Sequence, residues 1–236
     1  MSNTTSTTSE IGEFEQDDVS PETHKRGRMV QAVFWVVLLG FLAVAPFFLY
    51  PVFVMQLLCF ALFAAAFNLL IGFTGLLSFG HAAYLGLGAY AVGILADSDI
   101  WAAWISFPVA VLVSGLFALV TGAISLRTRG VYFIMITLAF GQMAYFTATS
   151  LSAYGGDDGL TLWSRSEFFG TALFSDDTSF YYLVFGVLLA VTLLLKRIAA
   201  SRFGRVLTGA KQSEARLHAI GIDPYRYRLA AYVIAG

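Results

Sequence analysis

The residues that could do chemistry are few, and most of them lie in one uncharged stretch at residues 68–93. This stretch reads NLLIGFTGLLSFGHAAYLGLGAYAVG and mixes polar side chains with closely spaced glycines. Ser78 and His81 stand three residues apart and could share one face of a helix. There they could hydrogen-bond a polar solute, or His81 could bond a carbonyl of a neighbouring helix. The sequence alone leaves both uses open.

The glycines of this stretch add a second signal. In a bilayer, glycine lets helix backbones approach closely, and clustered glycines can break a helix where the freed backbone groups line a cavity. We therefore expect a third span that is either broken beside a transport pathway or closely packed against other helices. The candidate pathway residues are Asn68, Gly72, Gly75, Ser78 and His81.

No residue set supports metal or covalent chemistry. His24 and His218 lie in a predicted tail and a predicted loop, no carboxylate lies in the apolar runs, and the single cysteine is Cys59. A phosphate-binding sequence of the form G-x-x-x-x-G-K-[ST] is missing, so this chain is not expected to hydrolyse ATP. We predict no catalytic residue, no metal and no cofactor. The glycine-rich loop YGGDDGL, which begins at Tyr154, could contact an outer partner or a solute, or could be a solvated loop.

An amphipathic pattern follows the last long apolar run. Val206, Ala210, Leu217 and Ile220 fall on one stripe at helical spacing, with basic and acidic residues beside it. The pattern predicts one short helix over residues 205–220, stopped by Gly221. Such a helix could lie in the membrane interface or insert its stripe into a groove on a soluble partner.

Long uncharged runs must position all of these residues. The chain is 58% apolar and only 12% charged, and residues 29–96 contain no Asp, Glu, Lys or Arg. A membrane span needs roughly 20 apolar residues, so the chain is predicted to be an all-α membrane protein, a polytopic helical bundle. The six predicted spans are 29–49, 51–71, 76–96, 100–126, 131–151 and 179–195. A seventh apolar stretch begins near Leu229 and the sequence stops at Gly236, so we expect a fragment.

The basic residues predict the orientation. With a cytoplasmic N-terminus, 13 of the 14 Lys and Arg residues fall on the cytoplasmic side, and Arg165 is the exception. Residues 1–28 are predicted to be a disordered acidic tail that ends in a basic cluster. Residues 29–236 are predicted to form the membrane domain, with a cytoplasmic segment at about 196–228.

Several motifs together resemble a known family. The pattern at 68–90 is similar to the signature of branched-chain amino acid ABC permeases, the LivH/LivM family. The pattern LRTRGVYF at 126–133, followed by TLAFG at 137–141, resembles the LivM side of that family, and GGDDG at 155–159 fits its outer loop. Residues 205–222 resemble its coupling segment. The resemblance covers about 29–236.

The resemblance implies a transport subunit of the cell membrane that is not an enzyme. It implies a second permease subunit, two cytoplasmic ATPases and an extracytoplasmic binding protein as partners, with no nucleic acid. It also implies that the amphipathic segment docks on the ATPase. The implied coupling residues are Val206, Ala210, Glu214, Ala215, Leu217, Ile220 and Gly221.

Two alternatives remain. The solute could be urea or a short amide rather than leucine, isoleucine or valine. The chain could also be a stand-alone secondary transporter or channel, although such proteins often hold ionisable residues within their spans and this chain holds no Asp, Glu, Lys or Arg there.

Overall fold

The computed structural model describes residues 33, 35, 37–97, 103–151, 154–156, 159 and 177–236. The regular secondary structure of these residues is helical, and no strand occurs among them. The predicted tail at 1–28 and most of the predicted outer loop, including Asp157 and Asp158, lie outside the described residues. The chain divides into two units, Met1–Phe48 and Leu49–Gly236.

The first unit contains an apolar helix among its described residues, α1, Val37–Phe47. Its last turn, Ala45–Phe47, tightens into a 3₁₀-helix that contains Pro46, and the backbone N–H of Phe48 bonds the carbonyl of Ala45. This helix corresponds to the second half of the predicted first span.

The second unit contains five longer helices. They are α2 Pro51–Asn68, α3 Ala82–Asp97, α4 Ala103–Ser125, α5 Val131–Ser150 and α6 Asp177–Ala200. Four helical stretches of the described chain are long and apolar enough to cross a membrane: Pro51–Thr74, Trp104–Ser125, Val131–Ser150 and Asp177–Ala200.

Large apolar side chains face outward along these helices, as expected where the surroundings are lipid. Leu116 of α4, Met143 of α5 and Leu193 of α6 are all well exposed. The prediction of an all-α helical membrane protein is therefore confirmed. The count of six crossings and a seventh start remains a prediction, because α3 and the described part of α1 are shorter than a full span.

A break separates α2 from α3. The last turns of α2 widen into a π-helix, Leu69–Thr74, which ends at Gly75 with a φ of 72°. Only glycine adopts this left-handed conformation at little cost. Residues 75–78 are not helical, and regular helix resumes at Ala82. We call residues 69–81 the α2–α3 break. The predicted third span therefore starts six residues later than expected.

Three short helices complete the chain: α7 Arg202–Gln212, α8 Glu214–Ala219 and α9 Pro224–Ala235. The prediction of one continuous helix over 205–220 is wrong, because Ser213 is extended, with φ −161° and ψ 110°, and separates α7 from α8. Serine is common at helix starts, and Ser213 occupies the residue before α8. Asp223 caps α9 by accepting a hydrogen bond from the backbone N–H of Tyr225.

The core of the second unit lies where α9 meets the earlier helices. Its buried side chains come from the π-helix, α3, α4, α5 and α9, and they are Leu69, Leu70, Tyr84, Ala118, Phe133, Tyr232 and Ala235. Helix α9 comes very close to α4, since a Cβ on Gly122 would lie 2.7 Å from Cδ1 of Tyr232. The end of the described chain therefore packs into the centre of the bundle.

Candidate functional site

Four hydroxyl groups meet beside the α2–α3 break. The Tyr84 hydroxyl donates to the Tyr232 hydroxyl over 2.6 Å, and Thr121 Oγ1 lies 3.0 Å from the Tyr84 oxygen. Ser78 Oγ lies 3.4 Å from the Tyr232 oxygen. We call Ser78, Tyr84, Thr121 and Tyr232 the hydroxyl cluster. All four side chains are buried, and together they satisfy one another where no water competes.

His81 packs next to this cluster inside an aromatic cage. Its ring centroid lies 5.3 Å from that of Phe63, 5.2 Å from that of Phe67 and 5.3 Å from that of Tyr84. Its Nδ1 is buried and has no hydrogen-bond partner among the described residues. Ser78 and His81 do come together, but not on one helical face as predicted, because the chain from 75 to 78 is not helical.

Gly80 of the α2–α3 break contacts α5 directly. A Cβ on Gly80 would lie 2.0 Å from the carbonyl oxygen of Thr137, and a Cβ on Gly141 would lie 3.1 Å from the Gly80 Cα. Two backbones therefore touch where any side chain would separate them. The sequence left open whether the glycine-rich stretch is broken or closely packed against other helices. The structure shows both the break and the close packing.

The other three candidate pathway residues lie on the outside of the break. Asn68, Gly72 and Gly75 are exposed in this chain. Lys211 of α7 reaches them, since its Nζ donates to the Gly72 carbonyl over 3.1 Å. Its Cγ would lie 3.1 Å from a Cβ on Gly75. The predicted site thus splits into a buried pair, Ser78 and His81, and an outward set that contacts the amphipathic segment.

The predicted stripe of α7 and α8 faces the protein's own chain. Ala210 and Leu217 are buried, Val206 is half-buried, and only Ile220 is exposed, at 69%. Leu207, which the stripe omitted, is fully buried. The buried residues of α7 are Gly204, Leu207 and Ala210, which are three residues apart. The sequence therefore predicted that α7 is amphipathic, but it did not predict which face of α7 is buried.

Glu214 forms ion pairs within the chain. Its carboxylate pairs with Arg129 of the α4–α5 connection at 2.6 Å and with Arg228 of α9. Arg228 also donates to the carbonyl of Ala210 over 3.0 Å. Sequence reasoning assigned Glu214 to a partner surface and missed Arg129 and Arg228, because no spacing rule relates residues so far apart along the chain.

The outward surface at α8 combines two of the predicted coupling residues, Ala215 and Ile220, with residues that were not predicted. Ala215, Arg216, His218, Ala219 and Ile220 are exposed there. Gly221, with a φ of 78°, ends the helix as predicted. Its N–H bonds the His218 carbonyl, and the N–H of Ile222 bonds the Leu217 carbonyl. We call the five exposed residues, Ala215, Arg216, His218, Ala219 and Ile220, the α8 tip.

Three connections of the chain meet on one side of the bundle. The Lys211 contact joins α7 to the end of α2, and the Arg129 contact joins α8 to the α4–α5 connection. The end of α2, the α4–α5 connection and the segment after α6 therefore lie together.

Residues 51–236 match a family described as "Branched-chain amino acid transport system / permease component". The chain belongs to this family. The predicted resemblance is thereby confirmed, and the chain is a multi-pass membrane protein of this permease family.

Two curated relatives share one description with each other. One is the "High-affinity branched-chain amino acid transport system permease protein LivM" of Salmonella typhimurium, 28% identical over 71% of this chain. The other is the protein of that description from Escherichia coli, 26% identical over the same share. The chain spans 45% of the length of each relative. No solved structure matches the permease.

Proposed function

We propose that this permease is a membrane-spanning subunit of an ATP-driven importer for branched-chain amino acids. It works with a second permease subunit, two cytoplasmic ATPases and an extracytoplasmic binding protein. The observation that carries the proposal is the exposed α8 tip in a chain of this family. Ion pairs of Glu214 join α8 to Arg129 of the α4–α5 connection and to Arg228 of α9. ATP-driven movement of the ATPases displaces this tip, and the spans change between inward and outward openings.

The α8 tip is suited to a groove on a partner. It offers one large apolar side chain, Ile220, beside small alanines and the positive charge of Arg216. A helix that inserts an apolar residue into a groove on a folded partner is a common mode of recognition. Of the predicted coupling residues, Ala215, Ile220 and Gly221 belong to this contact. Glu214 instead pairs within the chain, and Leu217, Ala210 and Val206 are buried or half-buried against it.

The test of this contact exchanges Ile220 for a charged residue. Ile220→Glu is expected to abolish co-purification of the ATPase while the permease remains in the membrane. Gln212→Glu is the matched control, because it adds the same charge at an exposed position of α7. Co-purification of the ATPase with Ile220→Glu at the control level would exclude this contact.

We further propose six crossings with a cytoplasmic N-terminus. The convergence of the end of α2, the α4–α5 connection and the segment after α6 supports this topology, because all three were expected on the cytoplasmic side. A reporter fused after Asp158 should read outside the cell, and one fused after Lys211 should read inside. Both reporters on one side would contradict the topology.

The solute is tested by uptake. Labelled leucine and labelled urea are offered to a strain that lacks its own carriers and expresses the assembled importer. Uptake of leucine that depends on ATP and competes with isoleucine and valine is the expected result. Uptake of urea instead would assign an amide permease. Uptake that continues after deletion of the ATPase would indicate a secondary transporter or channel.

A further inference from the structure

Arg228 of α9 bridges the interruption between α7 and α8. Its Nη1 pairs with Glu214, the first residue of α8, and its Nη2 donates to the Ala210 carbonyl in the last turn of α7. Its side chain is only 17% exposed. A partly buried guanidinium with two partners holds geometry better than an exposed ion pair, because its charge is less screened. Arg228 thus holds α7, Ser213 and α8 in one arrangement.

One turn further along α9, Tyr232 enters the hydroxyl cluster. Residues four apart lie on the same face of a helix, so Arg228 and Tyr232 stand one above the other. The Tyr232 hydroxyl accepts from Tyr84, in the first turn of α3, and lies next to Ser78 inside the break. The same face of α9 therefore contacts α8 at one end, and the α2–α3 break and the start of α3 at the other.

We propose that α9 is the link through which displacement of the α8 tip reaches the α2–α3 break. Glu214 and Arg228 are positioning residues at the α8 end, and Tyr232 is the positioning residue at the break. This assignment rests on the proposed function, because it is the ATPase that moves the tip. It also gives Glu214 a role that differs from contact with the ATPase.

The first experiment measures the accessibility of the α2–α3 break to a thiol reagent. In a Cys59→Ser background, Ser78→Cys places a thiol at a position that is only 1% exposed. Its alkylation by a membrane-permeant maleimide is followed in native membranes of cells that express the full importer. Glu214→Gln and Arg228→Gln are each expected to raise the alkylation rate about tenfold, the order expected when a hydrogen bond between charged groups is lost.

A double-mutant cycle tests whether these effects share one route. The double variant Glu214→Gln/Arg228→Gln should be no faster than the faster single variant, because both remove the same contact. Arg226→Gln is the matched control, since it removes an equal charge from an exposed arginine of the same helix. An alkylation rate in Glu214→Gln that equals the rate in Arg226→Gln would overturn the link. So would a rate in the double variant that equals the product of the two single effects.

The second readout separates positioning from docking. Glu214→Gln and Tyr232→Phe should each lower leucine uptake about tenfold and leave co-purification of the ATPase at the level of the unsubstituted permease. Loss of the ATPase from Glu214→Gln with no rise in alkylation would make Glu214 a docking residue and overturn the proposal. If the unsubstituted permease neither binds the ATPase nor takes up leucine, the proposed function fails. The alkylation series still decides the α9 link in that case.

Discussion

The two interruptions of the helical chain are stabilised by opposite chemistry. The buried part of the α2–α3 break is held by neutral groups, namely the hydroxyl cluster and the backbone contact of Gly80 with Thr137, while the exposed Gly72 carbonyl accepts a hydrogen bond from Lys211. The α7–α8 interruption is held by charges, namely Glu214 with its two arginines. A buried charge is expensive to desolvate, whereas hydroxyls that bond one another are not. Depth in the bundle therefore decides which chemistry stabilises each interruption.

The difference also extends to the backbone. Gly75 ends the π-helix in a left-handed conformation, while Ser213 interrupts α7 and α8 in an ordinary extended conformation. Any residue can adopt the second conformation, so side-chain contacts must hold it in place. We expect the α2–α3 break to depend on glycines and the α7–α8 interruption to depend on its ion pairs.

The largest effect is expected from Gly80→Val. The added side chain would collide with the Thr137 carbonyl, and such overpacking costs about 3 kcal/mol or more of unfolding free energy. The measurement is equilibrium unfolding in mixed detergent micelles, with Gly86→Val as control because a Cβ at Gly86 meets nothing within 4 Å. Equal stability of the two variants would contradict the close backbone contact at the break.

Leu217→Ala should have the next largest effect, at the α7–α8 interruption. Leu217 is buried and packs over Gly209, and truncation of a buried leucine costs about 2 kcal/mol or more. Ile220→Ala is the matched control, with an expected change within about 0.5 kcal/mol because Ile220 is exposed. The same unfolding measurement applies. A larger loss from Ile220→Ala than from Leu217→Ala would reverse the assignment of buried and exposed faces.

Tyr84→Phe tests the neutral chemistry of the deeper break. The substitution keeps the ring and removes the hydroxyl that bonds Tyr232 and Thr121, at a cost of about 1 kcal/mol. Tyr132→Phe, at an exposed tyrosine of α5, serves for comparison. The loss should not change between low and high salt, since no charge is involved. A salt-dependent loss would show that the cluster is not purely neutral.

The smallest effect is expected from Arg129→Gln. The Arg129 side chain is 82% exposed, so its pair with Glu214 contributes between about 0 and 1 kcal/mol. High salt should reduce even that contribution, because the screening length falls to about 3 Å at 1 M. Hydrogen exchange at residues 213–221 should therefore be faster at 1 M salt than at 0.15 M salt. Hydrogen exchange at residues 75–81 should be the same at both salt concentrations. Equal acceleration at both interruptions would remove the distinction between them.

Composition and motifs by themselves determined the class of the protein. Uncharged runs of span length require helices in lipid, because each backbone polar group must be satisfied within its own segment. The glycines at 72–80 indicated either a broken or a closely packed segment, and Gly221 indicated a helix end, since both signals depend only on neighbouring residues. These local properties were sufficient to predict the membrane fold and the family.

Only the tertiary structure decided which partner each polar residue has. Glu214 looked like a surface residue until α9 and the α4–α5 connection were placed beside it. Ser78 and His81 looked like one face of a helix, but the chain from 75 to 78 is not helical. Arg129 and Arg228 reach Glu214 from distant parts of the chain, and the phase of the α7 stripe depends on which face meets its neighbours. Contacts of this kind arise from packing between segments, and local periodicity carries no information about them.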